Sequence, residues 1–139
     1  VLFQLPPFLK NDAVLFRDFL ATVPKGLQSA FEFRHESWFN DETFAALKSN
    51  NAALCIADTE ELTTPMVATA RFGYFRLRNP AYTKADIARW AKVIGEHDGK
   101  TKDIFVYFKH EDSGVGPKFA RQLLDDLGIA RPPSDELFR

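Results

Sequence analysis

The 139-residue sequence predicts an α/β protein: part of a TIM-type (β/α) barrel, five parallel strands with covering helices. Three observations carry that expectation. Short apolar segments alternate with helix-patterned ones along the chain. The short segments are apolar on both faces, as strands buried in a parallel sheet are. Charged residues gather at their carboxyl ends, where TIM barrels build their sites. An open doubly wound sheet is the competing architecture, but no Gly-rich phosphate-binding stretch follows any strand.

The elements follow in order. Val1–Gln4 reads as a strand stopped by Pro6-Pro7, which cannot donate to a ladder. Asn11 or Asp12 caps a helix whose apolar positions are Leu15, Phe16, Phe19, Leu20 and Val23. Strand two, Ala30–Arg34, leads through His35-Glu36-Ser37-Trp38-Phe39 to a capped start at Asn40-Asp41 and a helix with Phe44, Ala45 and Leu47. Strand three is Ala52–Ala57, closed by Asp58, and the stretch from Thr59 to Arg71 reads as a loop around Pro65. Strand four is Gly73–Leu77. Thr83 to Asp86 resembles a capping box, and Ile87, Trp90, Ala91 and Ile94 then give a helix face that stops near Gly99. Strand five, Ile104–Phe108, precedes a helix with Val115, Phe119, Leu123, Leu124 and Leu127, ended by Gly128. Residues 1–130 form one unit, and 131–139 are expected to be a loosely ordered tail.

Composition narrows the function classes. A net charge of −1 gives no electrostatic case for nucleic acid or an anionic membrane. No apolar run approaches the roughly 18 residues of a membrane span, and a cytoplasmic protein is the expectation. The single cysteine, Cys55, excludes an internal disulfide and reads as a packed core thiol. His35, Asp58, Glu32 and His110 are chemically suitable metal ligands, but no two have a local ligand spacing, so no metal site is assigned and no cofactor is identified.

Side chains two apart on a strand share a face, which pairs Glu32 with Arg34 and Tyr74 with Arg76. If the strands end as proposed, Gln4, Glu32, Arg34, His35, Asp58, Arg76 and His110 reach one mouth. Glu32 and Asp58 with His35 could perform general acid–base work. Gln4, Arg34, Arg76 and Trp38 would then bind substrate, the arginines clamping an anion. Such a site implies an enzyme acting on a small anionic or polyhydroxylated molecule. The alternative is a non-catalytic binding or scaffold protein, in which Glu32, Arg34 and Arg76 form a buried structural network and Trp38 packs beneath its loop.

Several of these residues carry a family likeness. Leu2-Phe3-Gln4-Leu5-Pro6-Pro7, Phe31-Glu32-Phe33-Arg34-His35 with Ser37-Trp38, Asp58, Tyr74-Phe75-Arg76-Leu77 and Val106-Tyr107-Phe108 occur in that order. Together they resemble the YecE-like family, the domain of unknown function numbered 72. The resemblance implies a TIM-barrel-like fold of which this chain is the later part, lacking roughly three β/α units. It implies no settled activity. Two departures fall at the expected pocket rim: Arg78-Asn79 stands where the family usually has His-Gly, and Lys109-His110 where it has paired asparagines. A chain truncated in this way would leave two unpaired strand edges, so alone it is expected to be oligomeric or aggregation-prone.

Overall fold

In the computed structural model, residues 1–98, 101–109 and 114–130 are described. The Gly99 helix stop, His110 and the 131–139 tail lie outside them. The order is β1 (Leu2–Gln4), α1 (Ala13–Thr22), β2 (Ala30–Glu32), a 3-10 turn (Glu36–Trp38), α2 (Asp41–Ser49), β3 (Ala53–Asp58), β4 (Phe72–Leu77), α3 (Lys84–Asp98), β5 (Asp103–Phe108) and α4 (Gly116–Asp126). All strand pairs are parallel and the spatial order is β1-β2-β3-β4-β5. The result is an α/β fold with five parallel strands flanked by helices. The sheet is open, with β1 and β5 at its edges.

Local chemistry explains most boundaries. Asp12 is the cap of α1, its carboxylate accepting from the Leu15 amide at 2.9 Å. Asn40 caps α2 in the same way through the Thr43 amide. Gly128 adopts φ +69° just past α4, where an L-residue with a side chain would be strained. β2 is shorter than the sequence pattern suggests, ending at Glu32 rather than Arg34. The 59–71 segment contains no helix.

At α3 the capping box is reciprocal. The Thr83 amide donates to Asp86 Oδ2 at 2.8 Å and the Asp86 amide to Thr83 Oγ1 at 3.2 Å. Hydrogen bonds from the Thr83 hydroxyl and amide, with the nearby Arg89 guanidinium, hold the Asp86 carboxyl below its ordinary range. A lowered folded pKa stabilises the cap above the unfolded value and loses that contribution as pH falls through the folded value. The Thr83 amide resonance should therefore titrate with a midpoint below that of an ordinary aspartate. A midpoint at the ordinary value would contradict the cap's electrostatic role.

The helices lie on one face. Phe16 and Leu20 of α1 and Leu47 of α2 pack with Phe31, Phe33, Trp38 and Leu54. Ile87, Ala91 and Ile94 of α3 and Leu123 of α4 pack with Ile56, Phe75 and Leu77. Of the expected α1 face, Phe16 and Leu20 reach the core, Phe19 meets Phe3 and Phe31 edge-on, and Leu15 is exposed. The alternate residues form the opposite face: Ala30, Ala53 and Phe72 are buried there, with Leu2, Tyr74 and Phe105 against them. No described helix covers this face, and Tyr107 on it is 49% exposed.

Candidate functional site

Glu32 is the hub of the helix-free face. It ends β2, is 1% exposed, and sits in register beside Gln4 of β1. Gln4 Nε2 donates to Glu32 Oε1 at 2.9 Å. Oε2 takes the Arg76 guanidinium and, at 3.8 Å, the Cys55 thiol. Arg78 Nη1 approaches Oε1 at 3.7 Å. Arg76 belongs to β4 and must cross β3 to reach β2. The β3 residues on this face are Ala53, Cys55 and Ala57, and their small size opens that path. Burial pushes the Cys55 thiol up, and the adjacent Glu32 carboxylate adds to the shift, so the thiol stays protonated and unreactive.

Above this network lies a cleft of about 450 Å³, lined by residues that follow β1 to β4: Pro7, Arg34, His35, Thr59, Arg78 and Pro80 are among them. Arg34 is exposed. His35 Nδ1 accepts from the Ser37 amide at 3.2 Å and lies 2.9 Å from Ser37 Oγ. The Asn11 amide donates to the same hydroxyl at 2.9 Å, which anchors the turn to the start of α1. With Nδ1 accepting, the neutral imidazole carries its proton on Nε2, the nitrogen left for the cleft.

Two candidate residues do not join the site. Asp58 pairs in register with Leu77, whose side chain is in the helix-side core, and Asp58 Oδ2 accepts from Tyr82 Oη at 2.6 Å in that layer. Glu32 and Asp58 thus face opposite sides of the sheet, and no acid–base pair forms between them. Burial, followed by the bond to Asp58, pushes the Tyr82 phenol up, so it remains the donor. Trp38 is 3% exposed, stacked on Phe33 with ring centroids 4.7 Å apart, and donates its indole N–H to the Leu9 carbonyl. It is a core side chain with no face left for a ligand.

Arg78, a departure from the family pattern at the expected pocket rim, joins the network, and two threonines that carry no sequence signal support β3. Arg78 continues the period of two from Arg76, a signal that was available. Thr69 and Thr64 are buried loop residues that satisfy β3 backbone groups: Thr69 Oγ1 accepts from the Leu54 amide and donates to the Ala52 carbonyl, both at 2.7 Å. Among the described residues no group of three His, Cys, Asp or Glu side chains is placed to hold a metal, and no helix is long and apolar enough to cross a membrane.

The model of a family described as "Protein of unknown function DUF72" matches residues 1–137. No curated protein matches the sequence. A crystal structure of a DUF72 family protein from Enterococcus faecalis V583 superposes with a TM-score of 0.80 at 16% identity, covering 94% of this chain and 59% of that one. A second structure of that protein gives 0.80 at 20% identity, covering 93% and 61%. A DUF72 family protein from Thermotoga maritima MSB8 gives 0.77 at 20% identity, covering 91% and 56%. These likenesses show the fold, and the chain spans about three-fifths of the length of those proteins.

Proposed function

We propose that this chain, which belongs to the DUF72 family, binds and acts on a small polar substrate in the cleft at the carboxyl ends of its strands. The single observation that carries the reading is the cleft itself. Residues following four consecutive strands line it, over a floor whose buried charges are already paired. A preorganised floor lets rim groups act without first being rearranged. Arg34 is the substrate contact and His35 Nε2 the acid–base group. Glu32 and Gln4 position the arginines from below.

The fold belongs to the same proposal. A sequential parallel strand order with the described helices on one side of the sheet fits the winding of a TIM-type barrel. The uncovered face of Leu2, Tyr74, Phe105 and Tyr107 is where further β/α units, or a second copy, would lie. A scaffold role has one observation in its favour: both Glu32 carboxylate oxygens are occupied within the chain.

A thermal-shift screen on the intact protein separates the two. Sugars, sugar phosphates, organic acids, nucleotides and divalent metals form the panel, with Arg34→Ala and His35→Ala as variants. One ligand class should raise Tm in the wild type and lose most of that effect in Arg34→Ala, while the unliganded variants melt within a few degrees of the parent. A panel without any response would leave the scaffold role standing and remove the enzyme.

A further inference from the structure

We infer that the ligand of this cleft carries one anionic group, held by Arg78 and Arg34, and that the rest of the molecule is neutral or cationic. This rests on the reading of the cleft as a ligand site and specifies its chemistry. The charge count beneath the cleft is uneven. One carboxylate, Glu32, faces two guanidinium groups, Arg76 and Arg78.

The two arginines are not equivalent. Arg76 is 15% exposed and bonds Oε2 directly, whereas Arg78 is 25% exposed and stands 3.7 Å from Oε1, the oxygen Gln4 already occupies at 2.9 Å. The Arg76 pair neutralises the buried carboxylate. Arg78 is left as a largely desolvated cation lining the cleft, and its planar fork suits a carboxylate or phosphate. Arg34 lines the same cleft and takes part in none of the ion pairs among the described residues.

Around these two arginines the cleft also carries negative charge. Glu36, Glu60 and Glu61 line the cleft and are exposed. They would repel a second anionic group at the far end of a ligand and tolerate hydroxyls or an amine there. The site therefore discriminates by the number of negative ends as well as by their presence.

Calorimetric titration of the intact protein at low salt tests this with four probes: glycolate, glycerol phosphate, succinate and glucose. Glycolate or glycerol phosphate should bind, and succinate should bind on the order of tenfold more weakly than the better of them. Arg78→Gln and Arg34→Gln should each weaken that binding on the order of tenfold, while Arg71→Gln, before the amino end of β4, should leave it unchanged. Circular dichroism confirms that each variant is folded, and exposed Arg34 keeps the test available if Arg78→Gln is not. Glucose binding that ignores both substitutions would overturn the anion while leaving the cleft as a ligand site. Succinate binding as tightly as glycolate would overturn the single negative end. No binding by any probe, with no response in the wider thermal-shift panel, would remove cleft and anion together.

Discussion

Glu32→Ala should lower the unfolding free energy by about 3–5 kcal/mol, nearer the lower figure because Arg76 keeps some contact with water. Removing the carboxylate leaves the Arg76 guanidinium largely buried without its counter-charge and strips the Gln4 amide and the Cys55 thiol of their acceptor. Urea denaturation at constant m-value measures the loss. Pairing the change with Arg76→Ala should recover part of it, with a coupling of about 1–3 kcal/mol. Arg78→Ala should cost far less, since its longer contact is the lesser one on Oε1. A loss for Glu32→Ala below about 1 kcal/mol would mean that the network adds nothing to the fold.

Phe31→Ala should be equally severe on the other side of the same strand. The Phe31 ring is 1% exposed, stacked on Phe3 and Phe33 at centroid distances of 5.0 and 6.3 Å, with the edges of Phe16 and Phe19 at 5.3 and 6.1 Å. Its removal forfeits transfer free energy and leaves a cavity that four rigid rings cannot close, a loss of about 3–5 kcal/mol. Phe19→Ala, at the rim of the same cluster, should cost much less. Equal midpoints for the two variants would show that the cluster relaxes around the gap.

Strand and helix positions were legible because each element carries its own period and its own caps. Asp12, Asn40, Thr83 with Asp86, and Gly128 all act where their chemistry suggests. The side on which Asp58 falls was not legible. The β3 residues Ala53-Leu54-Cys55-Ile56-Ala57 are apolar throughout, so no polar alternation marks which face meets Glu32. Side-chain size alternates there instead, and the small residues are the ones that admit Arg76. Trp38 sits between candidate polar residues in sequence, yet its 3-10 turn directs the ring down onto Phe33. Arg78 bears on Glu32 only through a contact 46 positions along the chain, visible once β2, β3 and β4 are in register.

The sequential strand order also sets a timetable for synthesis. Each new strand meets a partner already made, so β1, β2 and β3 can assemble as they emerge. Arg76 follows Glu32 by 44 residues, about 2–9 s at the ~5–20 residues per second of translation. For that interval Glu32 has Gln4, joined by Cys55 after 23 residues, but neither Arg76 nor Arg78. A carboxylate in that state holds water, which keeps the helix-free face of the nascent sheet hydrated and resists its premature burial against other apolar surface. Arrival of β4 supplies the charge and lets the water leave. The ion pair thus forms only once β4 has been made, ahead of Phe105 of β5 on the same face, and a chain halted before β4 would carry a wet, unfinished surface.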